Sequence, residues 1–231
     1  MTKSIHGRLL LAAAVCVALA SCASVKPVPY TGIASSSYMS PNPHSSRVPY
    51  RYDTPVSWRS YRKIIIEPVA VYHGVDSQFG NMSEENKDAL ASYMQSKFAE
   101  KLGTRFELVN EPGPGTLQVK LTLPGATPTT PVLGTFTKFD IGGGMYNGVQ
   151  AIRGKEGAMN GSVIYSVEIY DALSRQLLSA YITKQYPNAM NVGASFGALK
   201  AARVGIDKGA DALVEQLSSE TTPMDGITRS H

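Results

Sequence analysis

Apolar residues recur along this chain in three rhythms, and each dictates a different element. Leu117, Val119, Leu121 and Leu123 alternate strictly with Gln118, Lys120 and Thr122. Successive side chains of a strand point to opposite faces, so this period of two predicts a strand with one wet face. Leu90, Met94, Phe98 and Leu102 instead fall four apart, which puts them on one stripe of a helix. Ser83 stands where its hydroxyl caps that helix, Glu84 and Glu85 complement its positive end, and Gly103 occupies the place of a left-handed C-cap. The third rhythm is continuous. From Lys63 to Val71 the chain is rich in β-branched residues, as in a strand covered on both faces, and Pro68 implies a bulge or a sheet edge.

Phe106–Val109 adds a short strand before the turn Glu111-Pro112-Gly113-Pro114-Gly115, and Val132–Phe139 reads as another. Ser162–Tyr170 and Leu177–Tyr186 flank the polar stretch Asp171–Gln176 and read as a hairpin. A last helix, from about Ala194 to Leu217, carries Leu199, Ala202, Ile206, Ala210, Leu213 and Leu217 on one stripe. Beside them Ala201, Gly205 and Gly209 form a row of small residues. Each glycine costs about 1 kcal/mol of helix propensity, so the row implies close approach to a neighbour. The order β-α-β-β-(β)-β-β-α predicts a single α+β domain over residues 51–218. Its mainly antiparallel mixed sheet carries two helices on one face, with the first strand–helix–strand unit parallel through a right-handed crossover. A polar tail follows at 219–231.

The first fifty residues follow other rules. Lys3 and Arg8 precede the apolar run Leu9–Ala20, which is too short to span a bilayer and has the form of a secretory signal peptide over residues 1–21. It ends in Leu19-Ala20-Ser21-Cys22, which resembles the lipobox of bacterial lipoproteins. The resemblance implies cleavage between Ser21 and Cys22 and a diacylglyceryl group on the Cys22 sulfur. Ala23 and Ser24 in place of an Asp imply the outer membrane, with the body more readily on the periplasmic side. Residues 22–50 are rich in Pro, Ser and Tyr and are expected to form an extended tether, roughly 30 Å as a coil and up to about 90 Å when straight. Its tyrosines, Tyr30, Tyr38, Tyr50 and Tyr52, are expected to pack on the domain or lie in water.

Charge and cysteine narrow the classes further. The chain carries 22 basic and 18 acidic residues. Two of the basic ones, Lys3 and Arg8, lie in the leader, so the mature body is nearly neutral and nothing in it suggests nucleic acid binding. Of its two cysteines, Cys16 also lies in the leader. The single remaining thiol excludes a disulfide framework and a cysteine metal site.

Tyr61 with Ile64-Ile65-Ile66-Glu67-Pro68-Val69, the Ser83-led helix, Asn110-Glu111-Pro112-Gly113-Pro114-Gly115-Thr116-Leu117 and Glu168-Ile169-Tyr170-Asp171 together resemble lipoproteins of the domain-of-unknown-function family 3313. The resemblance runs over roughly residues 52–217 and implies no catalytic residues. Members usually carry a Gly in the hairpin after the Asp, and Asp171-Ala172-Leu173-Ser174-Arg175-Gln176 has none.

No motif supports catalysis. Gly193-Ala194-Ser195-Phe196-Gly197 matches the nucleophile-elbow string, but a loop precedes it in place of a buried strand, and only His231 follows as a base. His44, His73 and His231 lack partners at metal-ligand spacing, and Gly142-Gly143-Gly144 does not complete a dinucleotide fingerprint. The glycine-rich stretch 141–161 reads as an irregular connection. The other reading is a loop that meets a partner or the membrane through Met145, Tyr146 and Val149. The sequence thus leads to a non-enzymatic envelope lipoprotein, without cofactor or metal, that binds an envelope protein or cell-wall component. The alternative is a subunit of an envelope assembly or secretion complex, separable by the oligomeric state of residues 51–231.

Overall fold

The strand expected from the alternation at Leu117–Leu123 extends from Thr116 to Thr127 and is the spine of the sheet. The computed structural model describes residues 26–128, 161–187 and 199–219. In chain order the elements are β1 (Ser40–Pro41), β2 (Tyr50–Asp53), β3 (Lys63–Ile66), β4 (Ala70–Val71), α1 (Glu84–Leu102), β5 (Glu107–Leu108), β6 (Thr116–Thr127), β7 (Ser162–Asp171), β8 (Leu177–Gln185) and α2 (Lys200–Ser218). Among the described residues these strands form one mixed sheet in the order β1-β2-β8-β7-β6-β3-β5, with β4 also paired to β6. The β3–β6, β4–β6 and β3–β5 pairs are parallel and the rest antiparallel. This is the expected α+β domain, including the parallel crossover through α1.

Both helices cover one face. Leu90, Met94, Phe98 and Leu102 of α1 are fully buried, as are Ile206, Ala210, Leu213 and Leu217 of α2, against Leu117, Val119, Val167 and Ile169 of the sheet. Ser83 caps α1 by accepting from the Asn86 N–H. Tyr93 Oη donates to Asp207 Oδ1 at 2.8 Å, and Lys101 pairs with Asp211 at 2.7 Å, tying the helices together. Among the described residues no helix is long and apolar enough to cross a membrane.

Two local expectations need correction. Gly103 has φ −63°, not a left-handed conformation, because the chain keeps turning: Phe106 N–H still reaches Leu102 O. The strand at 63–71 is not continuous. Pro68 has no N–H to give to the ladder, and Val69 N–H turns instead to Gln95 Oε1 of α1, splitting the run into β3 and β4. Of its isoleucines only Ile64 is fully buried. The expected strand at Val132–Phe139 and the start of the last helix at 194–198 lie outside the described residues.

The largest correction concerns the tether. From Lys26 to Met39 the chain is a strap laid across the face of the sheet opposite the helices, and it continues through β1 and β2 as the edge of the sheet. Tyr30, Ile33 and Met39 are buried against Ile164, Ala180 and Ile182, and Tyr50 and Tyr52 pack beside them. Tyr38 alone of the four tyrosines is exposed, at 62%. β2 pairs with β8 through Arg51↔Tyr181 and Asp53↔Ser179, so the strap becomes part of the sheet. Ser35 N–H donates to the buried carboxylate of Glu168 on β7 at 3.0 Å. With helices on one side and strap on the other, β7 is covered on both faces along most of its length.

The hairpin turn works without glycine. Arg175 takes φ +60°, an uncommon conformation for a residue with a β-carbon. Asp171 holds the turn by accepting from the Leu173 and Ser174 N–H groups at 3.1 and 2.7 Å.

Candidate binding cleft

The small-residue row on α2 sets the geometry of this region. A β-carbon at Gly205 would stand 2.9 Å from Val163 Cγ1 and 3.0 Å from Gln185 O, and one at Gly209 only 1.4 Å from Tyr165 Oη. The helix therefore sits hard against β7 and β8. The sheet continues past it to β2, with no third helix among the described residues to cover that margin. A cleft of about 360 Å³ opens there, walled by α2 at Gly209, Ala212 and Gln216 and floored by Tyr165, Tyr181 and Arg51.

The floor follows from strand periodicity. Ser179, Tyr181, Thr183 and Gln185 alternate along β8 on the helix side. Arg51 and Asp53 are the register partners of Tyr181 and Ser179, and so share that side. Tyr165 lies across from Thr183 on β7.

Two side chains stand out. Tyr165 is 1% exposed and Tyr181 7%, yet neither hydroxyl has a hydrogen-bond partner among the described residues. The Tyr165 ring is fixed edge-on against Phe98, with centroids 5.8 Å apart. Burial pushes both phenols above their usual range; the Tyr181 carboxylate neighbour Asp53 adds to this, while Arg51 opposes it. Both hydroxyls thus keep their protons and remain available donors.

A hydrogen-bonded rim holds the cleft open. Arg51 is paired with Asp53, Ser179 Oγ donates to Asp53 Oδ1 at 2.7 Å, and Gln216 Nε2 reaches Ser179 Oγ at 3.4 Å. At the other end Arg47 stacks on the Tyr186 ring, 3.9 Å from its centroid, and donates to Gln185 Oε1 at 3.2 Å. Gln185 Nε2 then donates to Thr183 Oγ1 at 3.1 Å. Burial, and then the charge of Arg47, hold the Lys208 ammonium below its usual value. The result is an aromatic, mostly apolar trough with proton donors converging on its floor.

The residues singled out in the sequence do not meet here. Ser21, Cys22, Met145, Tyr146, Val149 and Ser195 lie outside the described residues. His44 and His73 are exposed. Among the described residues no group of three or more His, Cys, Asp or Glu could hold a metal ion. Tyr165, Tyr181 and Arg51 escaped sequence reading, although Val163-Ile164-Tyr165 does break the alternation expected of a half-wet strand.

The domain so defined is an α+β sheet closed by helices on one side and by its own amino-terminal strap on the other. The family model for proteins of unknown function, DUF3313, matches residues 29–213, and the chain belongs to that family. The match begins next to Tyr30, so the strap from residue 29 onward lies within the matched residues. No curated protein matches the sequence. Among solved structures, the PelC dodecamer from Paraburkholderia phytofirmans is similar at 8% identity, covering 70% of this chain and 94% of that one with a TM-score of 0.37. Protein XCC0632 from Xanthomonas campestris, of family DUF330, is similar at 7% identity, covering 71% and 89% with a TM-score of 0.35.

Proposed function

We propose that this protein is a lipid-anchored, non-enzymatic binding module of the bacterial outer membrane. Its ligand is a small molecule or projecting group with an apolar body and an oxygen acceptor. The carrying observation is the cleft itself, floored beneath α2 by Tyr165 and Tyr181, whose phenols are free to donate into it. A ligand oxygen that accepts from these phenols gains hydrogen bonds worth about 0.5–1.5 kcal/mol each. The volume and mostly apolar walls suit a compact ligand.

Thermal-shift screening of muropeptides, lipid headgroups and glycans against the folded body tests the cleft. A ligand at a hundred times its Kd contributes about 2.7 kcal/mol, a rise of roughly 5–10 °C for a domain of this size. That rise should vanish in a Tyr165→Phe/Tyr181→Phe variant. Equal stabilisation of variant and wild type would remove the cleft from the proposal.

The anchor rests on Leu19-Ala20-Ser21-Cys22. One acyl chain gives only marginal membrane binding, whereas two or more hold a protein stably. Wild-type protein should take up a palmitate analogue and begin at Cys22, and Cys22→Ser should abolish both. An unlabelled mature protein that begins elsewhere would overturn this part.

A further inference from the structure

We propose that the loop between β4 and α1 rests on the lipid surface, with the Val75 side chain entering the headgroup region. The inference builds on the Cys22 anchor and adds to it which end of the domain meets the bilayer.

The strap carries the argument. Lys26 N–H donates to Gln78 Oε1 and Gln78 Nε2 donates back to Lys26 O, both at 2.6 Å. Gln78 Nε2 also donates to Tyr30 Oη at 3.0 Å, and Thr31 N–H reaches Asp76 Oδ2 at 3.4 Å. The Tyr30 ring meets Tyr72 edge-on, with centroids 5.5 Å apart. The chain is therefore pinned to the loop from Lys26 onward. Only Ala23, Ser24 and Val25 separate Lys26 from Cys22, so their α-carbons stand at most about 14 Å apart. A diacylated Cys22 sits at the membrane interface, which is itself roughly 5–8 Å thick on each side. Whatever Lys26 is bonded to is thus held within about 14 Å of the interface.

The surface at that end matches the location. Val75, three residues before Gln78, is 107% exposed, the most exposed of the large hydrophobic residues described. It projects from a loop in which the Tyr72 hydroxyl donates to Asp76 Oδ1 at 2.7 Å, satisfying that carboxylate without removing its charge. The opposite end of the sheet also carries an exposed apolar residue, Leu173 at 63%. Gln78 bridges to Gly125 near one end of β6, whereas Leu117 at the other end pairs with Asp171 of the hairpin turn. Leu173 therefore lies a strand length, about 30 Å, farther from the anchor.

The test uses the full chain, processed and lipidated in a bacterial host, then reconstituted in phosphatidylethanolamine–phosphatidylglycerol vesicles. Val75→Cys and Leu173→Cys carry an environment-sensitive fluorophore, since the Cys22 sulfur is already a thioether. The probe at 75 should shift to the blue and be quenched by nitroxide-bearing lipid, while the probe at 173 stays accessible to aqueous iodide. A spacer of about fifteen Gly and Ser residues before Lys26 lengthens the reach and should weaken the lipid quenching at 75. Protein that floats with the vesicles yet shows both probes equally aqueous would overturn the orientation. Protein that neither floats nor carries the diacylglyceryl mass would overturn the anchor on which it rests.

Discussion

Gly209 of α2 lies directly against the hydroxyl of Tyr165: a β-carbon there would stand 1.4 Å from Oη and 2.7 Å from Cζ. Gly209→Ala gains up to about 1 kcal/mol of helix propensity but forces the helix off the sheet. Overpacking of this kind costs about 1–3 kcal/mol, and here the displaced group is a buried ring held by Phe98. The variant should therefore lose several degrees of melting temperature. Adding Tyr165→Phe, which removes Oη but not the ring, should restore only part of that loss. A melting temperature above wild type for Gly209→Ala would contradict this packing.

Tyr30 is the anchor of the strap, fully buried with its hydroxyl bonded to Gln78. Tyr30→Ala should cost about 3–5 kcal/mol, as for other large aromatic truncations in cores. Tyr38→Ala, at an exposed site, should stay within about 0.5 kcal/mol of wild type. Chemical denaturation separates the two; equal, near-zero effects would restore residues 26–50 to a tether.

Asp171 gives the fold an acid-sensitive joint. Its carboxyl is held below the usual carboxylate value: the Ser174 N–H has the largest effect, burial opposes it, and the Ser174 and Tyr61 hydroxyls and the Leu173 N–H then add to the lowering. A folded-state value below the unfolded one means that the contribution is whole above about pH 4 and is lost as pH falls through the folded value. Asp171→Asn should therefore lower the urea midpoint at pH 6 and flatten its decline below pH 4. An unchanged acid limb would show that the turn does not depend on this charge.

Thr127 and Ser162 are register partners, so the chain leaves β6 and re-enters β7 at one closed base. Deleting Gly142–Gly148 shortens the connection without opening that base, and halving a loop changes closure by only about 0.6 kcal/mol. The melting temperature should hold within a few degrees. A fall of more than about 8 °C, several kcal/mol for this size, would mean that the segment is packed structure.

The helix face was legible because its signals are periodic. The stripe Leu90-Met94-Phe98-Leu102, the alternation of β6 and the small row of α2 each repeat at the spacing of their element, and each packs as its spacing implies. The strap was not legible because it binds through isolated anchors, Tyr30, Ile33 and Met39, spaced by Pro, Ser and Gly with no period. One clue did exist. Val163-Ile164-Tyr165 and Ala180-Tyr181-Ile182 are apolar on both faces, which requires a cover for the second face. The cleft was still less visible, since an unpartnered Tyr hydroxyl differs from a bonded one only in three dimensions. The Gly103 cap misled because a glycine after a helix permits a left-handed turn without requiring one.

The pairing of β2 with β8 also governs when the sheet can exist at all. Asp53 and Ser179 meet across 126 residues of chain. Contacts this distant in sequence form late and slow folding, because the intervening chain loses its freedom before any contact rewards it. A polypeptide emerging amino-terminus first releases its strap long before the strands that receive it. Tyr30, Ile33 and Met39 then wait in water until β7 and β8 arrive. Refolding should accordingly show a slow final phase in which the strap closes over an already formed helix–sheet unit, and that phase should disappear when residues 26–39 are removed.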